Sequence, residues 1–595
     1  MKTKLFVILA AMATVVSCEE EPLIVTGDAG DGKSFKIELK ASSAGNITRI
    51  TESEDAQTGL RTAWEAGEKI NALYYINGGA AMAELVSPSG DGLFTGEVES
   101  GEHAQAFASG DVVCVTSSSK IETVLDGMTV TSTVDFTGQD GTLQNVSKYE
   151  LMFVKGKASR KLCFEHQTSV LKLSFTGLAG TYISSASLSF IPSNESDFLF
   201  ASSAVYRAGL GGISCETVDA TFYEMQDIDI PISDGRATLY LVLPARGKLK
   251  GELSVFLGCD DVSYRRYIKL NGKSFKACNV VARTETVSDD DMVPDIGDYV
   301  YSDGTWGHLA YYDDKWPQAV IFSNFTSAAD RAAGYTHGYA MALRDAAWPT
   351  EWAPESEVVE HPDYPEAPNE FESISESAPL HMMENLDGLS TCILLNNLYL
   401  HDYAQGNYYG LPGFEKTGKR AAIPCAMRYG KEDWVSTFSN TENICAFEAP
   451  ANTSGWFLPS AGQWYLCLAN LGGIDPNKLE MTTSGNQVLE LAWRFSSSAE
   501  RQWYLNKFIR YFNSSSIDNP ILAQYADEGR MVGTIFYLPL EQQMDWYLWT
   551  CGEATSDGTA TVVYLDATDI VFRYVSKQTG EDSMNGYAAR SILAF

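Results

Sequence analysis

The sequence predicts a mainly β fold over its first half and an α+β domain over its second, and three observations carry that prediction. Apolar residues recur with period two from Phe35 onward, and Gly, Asp and Ser turns interrupt the runs at short intervals. No amphipathic helix is legible before about residue 288, whereas capped helices are legible after residue 296. With 595 residues, 45% hydrophobic and 20% charged, the chain has material for about three domains of ordinary size.

At the N-terminus, Lys2 and Lys4 precede an apolar run from Leu5 to Val16, followed by Ser17 and Cys18. The run is shorter than the roughly 20 residues of a membrane-spanning helix, so residues 1–17 read as a signal peptide. Val15-Val16-Ser17-Cys18 resembles a lipobox, which implies cleavage before Cys18, a lipid on its thiol and attachment to an outer membrane. Residues 18–33 then form a tether, and its acidic start, Glu19-Glu20-Glu21, resembles the surface-export signal of Bacteroidota-type lipoproteins.

The net charge of -34, from 43 basic and 77 acidic residues, repels phosphate backbones, so nucleic acid is not an expected partner. Aromatic content of 12%, with 30 Tyr and 12 Trp, suits strand-rich folds and surfaces that recognise sugars or proteins. Of the 11 cysteines, Cys18 is assigned to lipid, leaving Cys114, Cys163, Cys215, Cys259 and Cys278 before the linker described below and Cys392, Cys425, Cys445, Cys467 and Cys551 after it. Odd numbers on each side and the lack of any CxxC argue against a disulfide framework or a zinc site, so most are expected to be small buried hydrophobes.

Phe35, Ile37 and Leu39 alternate with Lys36, Glu38 and Lys40, which reads as a strand with one buried face. Further strands are expected at 112–116, 128–136, 170–175, 182–190, 237–243, 253–257 and 264–270, with turns such as Asp126-Gly127 and Asp234-Gly235 between them. Short strands with frequent turns imply β-sandwiches.

Within these strands, Arg61-Thr-Ala-Trp64-Glu-Ala-Gly67-Glu-Lys-Ile70 is similar to the T-x-W-x-x-G-D-x-I signature of fimbrillin-like proteins. Gly141-Thr-Leu143, Tyr149-Glu-Leu-Met152, Phe164-Glu-His166, the run from Ile232 to Pro244 and the run from Phe275 to Val281 match the family in the same order. The resemblance covers roughly residues 33–288. It implies two transthyretin-like β-sandwiches, at residues 34–165 and 166–288, in a lipoprotein that joins a pilus by strand exchange. In such proteins a protease cuts after an Arg near the first strand, and the opened groove takes a donor strand from another pilus subunit. Here the candidates are Arg49, in the polar stretch Gly45-Asn-Ile-Thr-Arg49, with Arg61 as the alternative.

Residues 289–295 form an acidic, Pro-containing linker, and a different domain is expected over residues 296–595. In Gly455-Trp-Phe-Leu-Pro459-Ser460-Ala-Gly-Gln463-Trp464, Ser460 and Gln463 make a capping box, Trp464, Cys467, Leu468 and Leu471 share a face, and Gly472 is the expected stop. Ser497 and Glu500 open a second helix with Leu505, Phe508, Ile509 and Phe512 inward. Strands are expected at 298–302, 562–565, 570–574 and 590–595, with a hairpin turn at Asp303-Gly304.

The Gly455-Trp-x-Leu-Pro459 element, with Tyr547-Leu-Trp549-Thr-Cys-Gly-Glu553 and Arg590-Ser-Ile-Leu-Ala-Phe595 downstream, looks like a bacterial C-type-lectin-like domain. The Glu-Pro-Asn triplet of calcium-dependent lectins is absent, so no cation or other cofactor is expected. His361 and Asp363, within the acidic stretch from Glu351 to Glu376, read as a solvated insertion, and His337 as a packed histidine. Asp313, Asp314, Trp316 and Trp348 lack a nucleophile to serve, and there is no P-loop, HExxH or GxSxG, so no enzyme is expected. Trp546, Trp549 and Tyr564 are the ligand-face candidates if they meet solvent together, with core packing as the competing reading.

The two resemblances together imply a surface adhesin at a pilus tip, accepting a donor strand through its N-terminal sandwiches and binding a glycan or protein through its last domain. A lipid-anchored receptor that never polymerises is the alternative. An enzyme related to formylglycine generators would need a cysteine partner for Cys551, and none is near in sequence.

Overall fold

The computed structural model describes residues 34–43, 50–55, 59–62, 64–158, 161–194, 196–260, 262–277, 279–347, 350, 352, 385–395, 422–430, 447–484, 487–513, 519–528, 546–553, 559–565, 569–576 and 587–595. Cys18, Arg49, Trp348 and the stretch holding His361 and Asp363 lie outside the described residues. The chain divides into two compact units between Asp289 and Asp290.

The first unit begins with the strand Ser34–Ser43, whose Ile37, Leu39 and Ala41 are buried as period two requires. It pairs antiparallel with Leu93–Glu99 over Ser34 to Lys40, then parallel with Leu162–His166 over Ala41 to Ser43. By changing partner in mid-course it joins the two edges of what would otherwise be an open sheet. A closed barrel results, in which Ser34–Ser43 and Leu162–His166 are followed by Met152–Lys157, Asp111–Ser117, Lys69–Ile76, Gly79–Val86 and Leu93–Glu99. The mainly β architecture agrees with the sequence expectation, and the closing strand joins the edges of this one sheet.

The change of partner is built around Gly92. Ala41 donates its N–H to the Gly92 carbonyl at 2.7 Å, Gly92 has φ of +85°, and a Cβ there would lie 2.5 Å from the Ala41 carbonyl oxygen. Only glycine fits that approach. Trp64 sits beside it with its ring edge-on to Phe94 and Phe164, at 4.9 and 5.4 Å between centroids. The helix Glu102–Ser109, which the sequence reading misses, buries Ala104 and Phe107 against the barrel core.

Outside the barrel, the hairpin Ile121–Asp126 and Thr129–Asp135 pairs with Phe200–Gly209 and Gly212–Ala220 in one four-stranded sheet. Its Val130, Val134, Ala204, Tyr206 and Ala208 pack with Leu73, Val113, Val115 and Phe153, so the strands Lys69–Ile76 and Asp111–Ser117 are buried on both faces. The rest of the unit holds Thr168–Thr176 between Arg236–Pro244 and the parallel Val280–Thr286, and a second sheet built on Tyr182–Pro192, Gly251–Cys259 and Ser263–Lys269.

The second unit is organised on a ten-stranded sheet. In order its strands are Trp306–Gly307, Tyr299–Tyr301, Pro317–Ser323, Tyr339–Ala347, Tyr587–Ala594, Trp546–Glu553, Thr559–Leu565, Asp569–Ser576, Gln487–Arg494 and Leu479–Ser484. The helix Ala461–Gly472 packs on it, burying Trp464, Cys467, Leu468 and Leu471 as the sequence reading expects. The helix runs through Gly472, and Gly473 makes the left-handed cap at φ 70°. Ser498–Ile509 is capped by Ser497 and buries Leu505 and Phe508.

The capping box closes as its residue types require. The Gln463 N–H donates to Ser460 Oγ at 3.2 Å and the Ser460 N–H to Gln463 Oε1 at 2.9 Å. Both side chains are also tied to the helix 388–395 region, Ser460 Oγ donating to the Asn385 carbonyl and Gln463 Nε2 to that of Leu386. Ser460→Ala should therefore lower stability by about 1–2 kcal/mol, toward the upper end for a cap, read as a shift of the urea midpoint. An unchanged midpoint would mean that the cap is dispensable.

Candidate functional site

Two features are candidates: the strand that closes the first barrel, and an aromatic face on the second unit. Ser34–Ser43 is held by backbone pairing at ten positions and by Ile37, Leu39 and Ala41, all of which face the barrel core. Arg49 follows this strand in sequence and precedes the strand Ile50–Asp55, so a cut after Arg49 would separate the closing strand covalently from the rest. Arg61 lies within the paired strand Gly59–Thr62, and a cut there would break a hairpin as well.

In the second unit, strand register gathers the aromatic face. Tyr547 lies opposite Tyr564, Val562 opposite Arg573, and Arg573 opposite Glu490. Tyr547 stacks on Tyr564 at 4.6 Å and packs on Tyr587 at 4.4 Å, and Tyr587 stacks on Trp549 at 4.6 Å. Four rings thus run outward from Trp549, which is wholly buried, to Tyr547 and Tyr564, which are partly exposed. The Arg573 guanidinium lies 4.1 Å from the Tyr564 centroid and donates through Nη2 to Tyr547 Oη at 3.2 Å. Beyond it Arg494 bridges Glu490 at 2.6 Å, Asp569 at 2.9 Å and Glu480 at 3.4 Å.

The face therefore grades from rings to fixed charges, a pattern suited to a ligand with apolar faces and polar edges. Burial pushes the Tyr587 hydroxyl up to about 12, so it stays neutral at any physiological pH. Of the sequence candidates, Tyr564 belongs to this face. Trp549 lies beneath it in the core, its indole N–H donating to the Thr350 carbonyl at 3.1 Å, and Trp546 starts the strand Trp546–Glu553. Tyr587 and Arg573 were not singled out by the sequence reading. The signal was present as the shared parity of Val571, Arg573 and Val575 on one strand, but pairing that strand with Tyr564 needs the sheet order.

The remaining candidates are structural. His337 donates through Nδ1 to the Met292 carbonyl at 2.7 Å and packs on Trp306 at 4.6 Å. Trp316 packs against the main core, and Asp303 holds its turn by accepting from the Thr305 N–H at 3.0 Å. Cys551 is buried, with its N–H donating to the Pro459 carbonyl. Among the described residues no group of three or more His, Cys, Asp or Glu side chains is arranged to hold a metal ion.

No protein-family model and no curated protein matches the chain. Among solved structures, the chain is similar to a fimbrial protein from Bacteroides ovatus, at 11% identity over 94% of this chain and 99% of that one, with a TM-score of 0.28. It is also similar to a fimbrial assembly protein from Parabacteroides distasonis, at 9% identity over 44% and 93% of the two chains, with a TM-score of 0.23. A third is the fimbrial anchor protein Mfa2 from Porphyromonas gingivalis, at 9% identity over 40% and 88%, with a TM-score of 0.20. At these identities and scores the likenesses are remote.

Proposed function

We propose that the chain is a surface adhesin delivered to the outer membrane by a lipid on Cys18, and that it caps a pilus. The observation that carries this reading is the closing strand Ser34–Ser43: it is paired along its whole length, and it lies entirely on the N-terminal side of Arg49. Removing it would leave unpaired N–H and C=O groups on Leu93–Glu99 and Leu162–His166, flanked by the slots of Ile37, Leu39 and Ala41. Such an edge accepts a strand of alternating apolar residues. Donation is another matter, because the last strand of the first unit, Val280–Thr286, is followed by the whole second unit. A chain that accepts a strand and donates none sits at a fibre end.

On this reading the second unit is a lectin-like domain, and the Tyr547, Tyr564 and Arg573 face is where a glycan or protein ligand docks. The discriminating experiment is the N-terminal sequence of the protein shed from the cell surface. An N-terminus at Ile50, in a fraction that copurifies with fibre subunits, is expected. A lipid-modified Cys18 still in place would overturn the pilus reading in favour of a tethered receptor.

A further inference from the structure

The strand Gly212–Ala220 is the edge of the four-stranded sheet in the first unit. It pairs with Phe200–Gly209 through a tight turn in which Gly209 lies opposite Gly212. Ser202, a residue of even number on the neighbouring strand, gives its carbonyl to the Phe136 N–H on the other side at 3.0 Å. The alternation of an antiparallel ladder then directs Gly209, Arg207, Val205 and Ser203 toward Gly212, Ser214, Glu216 and Val218. By the same alternation Ile213, Cys215 and Thr217 turn their backbone N–H and C=O groups outward, and none of these N–H groups has a backbone partner among the described residues.

This edge is long, at nine residues, and open. Ser214, Cys215, Glu216, Val218 and Asp219 are all exposed, Val218 to 59%, and the turn beside the strand exposes Leu210 to 46%. The strand has no proline and is not short; its protection is limited to the acids Glu216 and Asp219 and, near its far end, a β-bulge at Ser202 of the neighbouring strand.

We propose that Gly212–Ala220 is a self-association edge, pairing antiparallel across a two-fold axis with the same strand of a second copy, centred on Cys215. The register follows from charge and side-chain fit. Centred on Cys215, Ile213 faces the partner's Thr217, Ser214 faces the partner's Glu216, and Gly212 faces the partner's Val218, so no acid opposes an acid. A centre one residue further on, at Glu216, would set that carboxylate against the partner's Glu216. The Cys215 register also sets Val218 against the partner's Gly212, next to the partner's turn residue Leu210. Two exposed apolar side chains are thereby brought near each other, once at each end of the seam. Joining two four-stranded sheets in this way makes one continuous eight-stranded sheet.

The seam forms against the net charge of -34 on each copy, so added salt should tighten it. Sedimentation of the full chain should show a monomer–dimer equilibrium whose dimer fraction rises between 20 mM and 300 mM NaCl (about a fourfold contraction of the Debye length). Ser214→Glu sets two acids against each other at both ends and should lower association at least tenfold, whereas Ser214→Lys should raise it. Thr217→Pro removes an N–H that points outward and leaves the bonds to Phe200–Gly209 intact, so it should give a folded monomer.

The register is read separately by oxidation with diamide, a diazene that takes up the two thiol protons and two electrons as an S–S bond forms. Paired residues in hydrogen-bonded antiparallel register lie about 5.5 Å apart at Cα, within disulfide reach. Partial desolvation of the sulfur, with the nearby carboxylates of Glu216 and Asp219, raises the Cys215 thiol although the residue is exposed, so the reaction is run at alkaline pH. A disulfide dimer that is lost in Cys215→Ala and in Thr217→Pro is expected. A monomer at every salt concentration, or a dimer indifferent to both Ser214 variants and to Thr217→Pro, would overturn the proposal.

Discussion

Replacing Arg590 with alanine should destabilise the second unit by about 3–5 kcal/mol, because it strands a buried carboxylate. Arg590 lies in Tyr587–Ala594, a strand buried at all eight positions, and is itself fully buried. Its Nε reaches Asp345 Oδ1 at 2.7 Å, Nη1 donates to the Ala342 carbonyl at 3.2 Å, and the guanidinium lies over the Phe512 ring at 5.3 Å. Register makes the pair, since Asp345 and Arg590 are directly opposed on adjacent strands. Burial raises the Asp345 carboxyl above the ordinary carboxylate range even with Arg590 opposing it.

Without the guanidinium the rise should be larger, and its sign fixes the pH dependence. A folded state that holds a proton more tightly than the unfolded one loses stability as pH rises through the window between the ordinary and the raised value. The deficit of Arg590→Ala should therefore be smaller at pH 5 than at pH 7.5 in urea melts. Combining Arg590→Met with Asp345→Leu should recover most of the loss, since an apolar pair of similar volume removes both charges together. A deficit equal at both pH values would show that lost packing, and not the stranded carboxylate, is the cause.

How much of this was legible in the sequence depends on how many faces an element buries. Ser34–Ser43 and Thr168–Thr176 carry an apolar–polar alternation in the sequence and are visible as strands on that ground. Pro317–Ser323 is buried at all seven positions and Tyr339–Ala347 carries a long apolar run, so neither has an alternation to read, and both went unassigned. The helix Glu102–Ser109 escaped for a different reason: its cap position is Gly101, with no side-chain cap, and it buries only Ala104 and Phe107. The helix Ala461–Gly472 was legible because Ser460 and Gln463 announce it locally. The aromatic face was half legible, since Tyr564 stands out as an aromatic residue in a strand, while Arg573 and Tyr587 join it only through pairings between separate strands. Barrel closure lay beyond sequence reasoning altogether, because it depends on Ser34–Ser43 changing partner at Ala41.

That change of partner carries the other large effect. A chain trimmed to begin after Ser43 should lose about 3–6 kcal/mol, taking about 1.5–3 kcal/mol for each of the buried side chains Ile37 and Leu39. The lost backbone pairs add to this, since they leave donors and acceptors without partners on Leu162–His166 and Leu93–Glu99. The strand is local, so the remaining core around Ile70, Phe94, Val112 and Phe164 should still fold. A synthetic peptide with the sequence of residues 34–43 should then bind in trans, and at a hundred times its Kd should return about 2.7 kcal/mol. The same peptide with Asp at the positions of Ile37 and Leu39 should return nothing, because its backbone can pair but its side chains cannot enter the core. Trimming without loss of thermal stability would mean that the strand is not a closing element. Loss without rescue by the native peptide would mean that the groove collapses once emptied, leaving no slot for a donor strand from any source.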